Sequence, residues 1–138
     1  MNFKPGRKPI VYCIDGLNYL RSGLGICGDE EREMSDFLAW LESAGEILEG
    51  VSFRVILDGG HRDVGPTRRA AVSVYFSQGE TADDLLVEQA VFLNSSGVKA
   101  IAVSDDGTLR ERARAAGVKI MDCQSFAGFC RRALSETK

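Results

Sequence analysis

The sequence predicts an α/β domain built on a parallel β-sheet, and two observations support this fold class. Five short runs have strand character, and segments with helical periodicity lie between or after them. Three of the runs are almost continuously apolar, which is typical of central strands that helices cover on both faces. The repeated alternation of strands and helices therefore predicts a doubly wound architecture.

The individual elements follow from local patterns. The predicted strands cover residues 10–14, 53–57, 71–76, 100–103 and 118–121, and the predicted helices run roughly over 31–49, 82–95, 108–116 and 125–134. Gly50, Gly97 and Gly117 each stand between a helix and a strand, where a left-handed residue commonly ends a helix. The two longest irregular stretches, residues 16–30 and 59–70, are the loops where we expect substrate contact.

Composition indicates one globular domain over residues 1–138, with short flexible tails over about 1–8 and 136–138. Hydrophobic residues make up 44% of the chain and charged residues 27%. No apolar run approaches the roughly 18 residues of a membrane span, and the N-terminus lacks the apolar region of a signal peptide. We therefore expect a cytoplasmic protein with no membrane partner. The net charge of −3 argues against nucleic-acid binding through overall charge.

The cysteines are predicted to be reduced thiols. They are Cys13, Cys27, Cys123 and Cys130. No pair has C-x-x-C spacing and the chain has one histidine, so the spacing of zinc ligands is missing.

Acidic residues follow every predicted strand. They are Asp15, Asp58, Asp105, Asp122 and, after the strand at 71–76, the acids Glu80, Asp83 and Asp84 of "GETADD". Turn propensity explains any single aspartate, but ligands of open parallel sheets bind at this carboxyl edge. Converging carboxylates repel each other unless a cation neutralises them, and the hard ions Mg²⁺ and Mn²⁺ prefer oxygen ligands. The sequence therefore predicts a divalent-metal site at this edge.

The acids that open the third helix have different explanations. Thr81 is the predicted N-cap, and Asp84 follows at the spacing of a capping box, which is a sufficient structural reason for Asp84. Asp83 instead heads the stripe expected to pack on the sheet, formed by Leu86, Val87, Ala90 and Val91. A carboxylate in that position needs a partner, and a metal ion is the best candidate. Glu80 could be a ligand, a positioning group or a solvated loop acid.

Three other polar residues have open roles. Asn18 has a carbonyl oxygen able to orient a ligand or phosphate, although asparagine there is more often a turn or cap residue. Ser104 is expected to cap backbone, and Asp106 is expected to be the N-terminal acid of the next helix.

"GLGICG" at 23–28 matches a dinucleotide-binding pattern, but it begins eight residues beyond Asp15 and opens a helix starting "DEERE", whose charges would repel a pyrophosphate.

Three motifs together resemble the NYN domains, PIN-like ribonucleases, and especially their YacP-like branch. The motifs are "DGLN" at 15–18, "GETADD" at 79–84 and "VSDDGTLRERARAAG" at 103–117. The resemblance covers nearly the whole chain, and the motifs come in the family's order. The resemblance implies a single three-layer PIN-like domain with a five-stranded parallel sheet in the order 3-2-1-4-5 and helices on both faces, which would place Asp15 beside Asp105.

The resemblance also implies an endoribonuclease that depends on Mg²⁺ or Mn²⁺ and leaves 5′-phosphate ends. The implied catalytic residues are Asp15, Asn18, Asp83, Asp84, Asp105 and Glu80, of which Asp15, Asp83 and Asp105 would hold the metal. RNA is the implied partner, and the ribosome or RNA-processing proteins are further candidates. "LDGGHRD" departs from the shorter family versions, so the roles of Asp58 and His61 stay open.

RNA would also need basic and aromatic contacts around an acidic site. The candidates are Arg62, Arg68 and Arg69 in one loop, with Arg21 and Tyr19 on another rim. Each arginine could instead be a solubilising charge, and Tyr19 could be packed in the core. The helix that contains Phe37, Leu38, Trp40 and Leu41 could carry an interface, although core is the expectation.

Other functions fit less of the sequence. A receiver-type phosphoacceptor domain would need a lysine just after the last strand, where this chain has "MDCQS", and would leave Asp83 unexplained. A small-molecule phosphohydrolase is an alternative, because acids that bind metal indicate phosphate more clearly than RNA. The alternative outside enzymes is a catalytically silent module that binds RNA or a partner on a PIN-like scaffold.

Overall fold

The computed structural model describes residues 9–24 and 30–135. Five strands form one parallel sheet in the order β3-β2-β1-β4-β5: β1 (Ile10–Asp15), β2 (Val51–Leu57), β3 (Val72–Phe76), β4 (Lys99–Val103) and β5 (Lys119–Met121). The helices are α1 (Gly16–Tyr19), α2 (Glu30–Ile47), α3 (Ala82–Ser95), α4 (Gly107–Ala115) and α5 (Cys123–Ser135). The predicted fold class and strand order are confirmed. The expected tails at 1–8 and 136–138 lie outside the described residues.

Helices cover both faces of the sheet, and each face has its own apolar core. On one face α2 and α5 pack around Phe53 and Phe126, both buried. On the other face α3 and α4 contribute the cluster that contains Leu86 and Leu109. The sheet is therefore the middle layer of three, as expected for a doubly wound domain.

Side chains of the central strand alternate between these two cores. Val11 and Cys13 pack in the core under α3 and α4, whereas Tyr12 and Ile14 pack in the core under α2 and α5. This two-residue period is the ordinary geometry of a β-strand. It places Asp15, the last residue of β1, on the side of α3.

The predicted helix ends differ from the observed ones by two residues or fewer, and one helix is missing from the prediction. Helix α1 and the π-helical turn at Leu20–Leu24 occupy part of the stretch predicted to be irregular. A helix of four residues is too short for a periodic pattern, and its start is set by Asp15, whose carboxylate accepts a hydrogen bond from the backbone of Asn18. Gly50, Gly97 and Gly117 have φ values of 72°, 87° and 79°, as predicted.

The apolar residues of α2 lie in the core, as expected. Phe37, Leu38 and Leu41 lie in the core, and Trp40 packs against its edge. The three described cysteines are buried and free, whereas Cys27 lies outside the described residues. In the described part of the chain no helix has the length and apolar character to cross a membrane.

Gly45 tests how tightly α2 packs on the sheet. A methyl group at Gly45 would lie 2.4 Å from the Cβ of Ala71. Gly→Ala inside a helix normally stabilises by up to about 1 kcal/mol, but here we expect Gly45→Ala to destabilise by about 1–3 kcal/mol through overpacking. Urea unfolding measures the difference.

Gly128→Ala in α5 is the matched control for this substitution. Its new methyl group would meet only the guanidinium end of Arg132, at 3.4 Å, and that flexible side chain can move. We expect Gly128→Ala to stabilise by about 0.5–1 kcal/mol. Equal shifts in the two variants would contradict the packing that the structure shows at Gly45.

Candidate active site at the carboxyl edge of the sheet

Three polar side chains at the carboxyl edge lie on the α3 side of the sheet: Asp15, Asp58 and Ser104. Asp15 is the last paired residue of β1, and Asp58 and Ser104 directly follow the ends of β2 and β4, so each continues the alternation of its strand. The residues two positions earlier, Cys13, Ile56 and Ala102, all pack in the core under α3 and α4. Strand alternation thus selects which polar residues face the N-terminus of α3.

Asp15 is the buried acid of this edge, with 9% of its surface exposed. Its carboxylate accepts hydrogen bonds from the backbone N–H of Asn18 at 3.5 Å and from the hydroxyl of Ser104 at 3.3 Å. The pKa of Asp15 is raised to about 6, mainly by burial and also by the negative charges of Asp83 and Asp106, while the two hydrogen bonds oppose the increase. Asp15 is therefore held in place at a site that disfavours its charge.

Ser104 links the residues around Asp15. The side chain is 1% exposed, and its hydroxyl lies 3.3 Å from Asp15 Oδ2 and 3.2 Å from Asn18 Oδ1. It also accepts a hydrogen bond from the backbone of Asp106 at 3.0 Å. The expected backbone capping is observed, and the contacts to Asp15 and Asn18 add a role that the sequence analysis does not assign. The position of Ser104 in the strand alternation is the signal that could have found it.

The amide of Asn18 is oriented by the protein. Its Oδ1 accepts a hydrogen bond from the backbone of Asp105 at 2.8 Å, in addition to its contact with Ser104. The carbonyl oxygen expected to orient a ligand is thus bonded within the protein. The NH₂ group of Asn18 is the part of this side chain with donors to offer to a phosphate or a water molecule.

Asp83 and Asp84 have different environments, as the sequence predicts. Asp83 is half-buried, and burial followed by the charge of Asp106 raises its pKa, against the opposing charge of Arg112. Asp84 forms an ion pair with Arg112, and this contact, followed by the hydroxyl of Thr81, lowers the pKa of Asp84. Thr81 is the N-cap of α3, since its hydroxyl accepts a hydrogen bond from the backbone of Asp84 at 3.1 Å.

The apolar stripe predicted below Asp83 is only partly correct. Leu86 and Ala90 are buried, but Val91 is 42% exposed and its neighbour Phe92 is 66% exposed. Leu93 is buried instead, because the side of α3 that meets the sheet is centred on Leu86, Ala90 and Leu93.

The structure brings Asp106, and not Asp105, to Asp15 and Asp83. Asp105 continues the alternation of Val103 on the opposite face, and its Oδ1 accepts a hydrogen bond from the backbone of Cys123 at 3.0 Å. Asp106 is the N-cap of α4, as expected, and its charge raises the pKa values of both Asp15 and Asp83. The acids at this edge are therefore divided between the two faces of the sheet.

Asp58 fixes the start of α3. Its Oδ1 accepts hydrogen bonds from the backbone of Ala82 at 3.0 Å and from the hydroxyl of Ser77 at 3.2 Å. The charge of Asp58 also contributes to the raised pKa of Asp83. Glu80 lies exposed in the turn before α3, where its backbone donates a hydrogen bond to Ser77 at 3.1 Å. His61 is an exposed residue whose ring packs on Phe76, with ring centroids 5.2 Å apart.

Two of the candidate RNA-contacting residues have partners inside the protein. Tyr19 is 3% exposed and stacks on Phe37 with ring centroids 4.4 Å apart, so it has no open face for a base. Arg62 donates to the backbone oxygens of Asp58 and Gly60, at 2.9 Å each, and its Nε lies 3.4 Å from Glu30. Tyr19 is therefore a core residue, and Arg62 ties the loop after β2 to the start of α2.

The other three arginines differ in exposure. Arg21 and Arg68 are exposed, whereas Arg69 is half-buried and donates to the backbone of Pro66 at 3.2 Å. Arg21 and Arg68 are therefore the predicted contacts that the structure presents to solvent.

The donor set at this edge fits a hard divalent ion, although it does not form a complete cage. Among the described residues no group of three or more acidic, histidine or cysteine side chains is arranged to hold a metal ion. Mg²⁺ commonly uses one or two carboxylates and completes its shell with water and substrate phosphates. Asp15 and Asp83 would supply these two carboxylates. Burial and the negative charges of neighbouring acids raise the pKa of both groups, and a cation would offset that repulsion.

The sheet order, the helices on both faces and the polar carboxyl edge define a PIN-like α/β fold. The chain is similar to two crystal structures of Rae1 (YacP) from Bacillus subtilis, one of them a tryptophan-to-leucine mutant. The TM-scores are 0.73 for the mutant and 0.75 for the other structure, with 18% and 17% sequence identity; the alignments cover 91% of this chain and 77% and 76% of Rae1. No family model and no curated protein matches the sequence. This likeness establishes the fold, and it agrees with the YacP-like resemblance of the three motifs.

Asp15 should make the metal-free protein less stable as the pH rises. Its folded-state pKa of about 6 lies above the value of about 3.9 for an unfolded chain. Between these values the unfolded state releases its proton first, so the free energy of unfolding falls with rising pH, by up to about 3 kcal/mol. Asp15→Asn should remove this decline and be more stable than the wild type above pH 6. Chemical denaturation in EDTA from pH 4 to pH 7 measures the effect.

Asp122→Asn is the control with the opposite sign. Hydrogen bonds from Ser125 lower the pKa of Asp122, so this carboxylate stabilises the fold above its unfolded pKa and loses that effect in acid. We expect no gain of stability at neutral pH from Asp122→Asn. A gain equal to that of Asp15→Asn would mean that total charge, and not the burial of Asp15, sets the pH dependence.

Proposed function

We propose that this protein is a divalent-metal-dependent endoribonuclease that hydrolyses RNA phosphodiester bonds and leaves 5′-phosphate ends. The observation that carries the proposal is the pair formed by Asp15 and Asp83 at the carboxyl edge, where burial and negative charge raise both pKa values. Support also comes from the Rae1-like fold and from the three motifs that resemble YacP-like ribonucleases. Clustered carboxylates with perturbed pKa values are typical of functional sites.

Asp15 and Asp83 would hold Mg²⁺ or Mn²⁺ between the end of β1 and the start of α3. The bound ion would lower the pKa of a water molecule and neutralise charge on the phosphate oxygens. Asp106 adds negative charge to the same place, and Asp58 fixes the helix that carries Asp83. The hydrogen bonds to Asp15 and the fixed start of α3 limit how far the two proposed ligands would have to move when the ion binds.

Asn18 and Ser104 would orient the reacting groups. Oδ1 of Asn18 is bonded to Asp105, which aims the NH₂ group as a donor for a phosphate oxygen or the attacking water. Ser104 keeps the carboxylate of Asp15 in a fixed orientation. In this proposal Asp105 has a positioning role, because its carboxylate is bonded to the start of α5 and its backbone N–H orients Asn18. Glu80 is exposed and is a candidate for orienting water.

RNA is the proposed substrate and partner, and Arg21 and Arg68 are its proposed contacts beyond the acidic edge. Both are exposed: Arg21 lies in the π-helical turn that follows α1, and Arg68 lies in the loop that precedes β3. Arginine recognises phosphate through several donors at once, which suits a polyanion that must approach acidic ligands. The ribosome and RNA-processing proteins are candidate settings in which such an RNA would be met.

Cleavage assays on labelled single-stranded and structured RNAs test the proposal. We expect cleavage with Mg²⁺ or Mn²⁺, none in EDTA, and a loss of at least about 100-fold in Asp15→Asn and Asp83→Asn, because each removes a proposed ligand. End analysis should find 5′-phosphates. Glu88→Gln, an exposed acid on the same helix as Asp83, is the matched control and should keep full activity.

Other outcomes would select among the alternatives. Equal cleavage by wild type and Asp15→Asn would indicate a contaminating nuclease. RNA binding without cleavage in any metal would favour the catalytically silent module. Absence of both, with hydrolysis of a small phosphate ester, would favour the phosphohydrolase.

A further inference from the structure

A basic side chain lies beside the first turn of α3, next to the acidic edge. Arg112 of α4 forms an ion pair with Asp84 in the first turn of α3, and the two side chains are 43% and 45% exposed. The pair joins the two helices at the end of α3 that carries Asp83. A guanidinium is therefore fixed beside the proposed metal ligands, on the same side of the sheet.

The charge of Arg112 acts on the proposed ligand Asp83. It lowers the pKa of Asp83, against the increases that come from burial and from Asp106, Asp84 and Asp58. Arg112 has the positive charge in this group, and the other charged side chains that shift the pKa of Asp83 are carboxylates. Its positive charge therefore offsets part of the repulsion that Asp83 and the three acids around it would exert on a phosphate.

Most of the hydrogen-bonding capacity of this guanidinium is left for a ligand. Guanidinium has five N–H donors, and within the described chain the contact from Nη2 to Asp84 is the only hydrogen bond that Arg112 makes through its side chain. The planar group could contact Asp84 through one edge and present other donors to two phosphate oxygens.

The ion pair adds little to the stability of the fold. Exposed pairs contribute little because water screens them and ordering the side chains costs entropy. The contact between α3 and α4 is instead formed by apolar side chains, among them Leu86, Leu109 and Ala113, which are buried in one cluster. Removing the pair should therefore leave the fold intact, so that an effect on RNA can be assigned to the site.

We propose that Arg112 contacts a phosphate of the bound RNA at the scissile position, and that Asp84 is the positioning residue that holds Arg112 there. This inference rests on the proposed function. Hydrolysis of a phosphodiester places negative charge on the non-bridging oxygens, and a preorganised guanidinium stabilises that charge as it develops. Asp84 then has no place among the metal ligands, because its carboxylate serves the arginine.

A double-mutant cycle tests the inference. The proteins are the wild type, Asp84→Asn, Arg112→Gln, the double variant and Arg112→Lys, assayed for kcat and KM on one RNA in Mg²⁺ and for RNA affinity in Ca²⁺. Arg112→Gln should lower kcat about 100-fold, and Asp84→Asn should lower it about 10-fold by releasing the arginine. The double variant should be no worse than Arg112→Gln alone, because Asp84 acts through Arg112. Arg112→Lys should recover part of kcat.

Arg114→Gln is the matched control, since Arg114 is an exposed arginine on the same helix. It should keep the kcat of the wild type, and thermal unfolding should give similar midpoints for all variants. Wild-type kcat in Arg112→Gln would overturn the inference. Equal losses in Arg112→Gln and Arg114→Gln, or independent losses from Asp84→Asn and Arg112→Gln, would overturn it as well.

The design separates this inference from the proposed function. If the wild type cleaves no RNA, the proposed function fails, and the affinity measurements in Ca²⁺ decide the phosphate contact. Binding weakened several-fold by Arg112→Gln but not by Arg114→Gln would support the contact in a module without catalysis. Unchanged binding in Arg112→Gln would overturn it.

Discussion

The two-residue alternation of the strands is the constraint on which the candidate site depends. Each strand sends one set of side chains to the core under α2 and α5 and the other set to the core under α3 and α4. At the carboxyl ends of β1, β2 and β4 the same alternation places three polar residues on the side of α3: Asp15, Asp58 and Ser104. The polar groups of the site therefore follow buried apolar residues of the same strands by two positions, and they lie on the same face of the sheet.

Much of the fold follows from the sequence because its signals are local and repeated. Apolar runs identify the strands, and the glycines at 50, 97 and 117 mark the ends of helices. The convergence of acids at one edge follows equally directly from a parallel sheet. Which acid faces which layer depends on alternation within each strand, and counting acids after strands overlooks it. The strand order implied by the family resemblance is correct and brings the ends of β1 and β4 together, but it does not say that Ser104 and Asp106, instead of Asp105, act on Asp15.

The partners of polar side chains are harder to predict, because they depend on packing between distant parts of the chain. The sequence leaves Tyr19 open between base stacking and core packing, and the structure stacks it on Phe37 of α2. It leaves Arg62 open between RNA contact and a solubilising charge, and the structure has it held by Glu30 and two carbonyl groups. The amide of Asn18 is oriented by the backbone of Asp105, 87 positions away. None of these contacts leaves a periodic pattern in the sequence.

Cys123 brings a sulfur atom to the acidic edge without bringing a charge. Its sulfur lies 3.6 Å from Oδ1 of Asn18, and burial, followed by the charge of Asp105, raises its pKa to about 12. The thiolate is the form that binds soft ions and reacts with oxidants, and a pKa this high keeps the group protonated at neutral pH. In the metal-free protein the sulfur of Cys123 is therefore a neutral hydrogen-bond donor to Asn18. A cysteine in this position adds no negative charge to an edge where several carboxylates already lie close together.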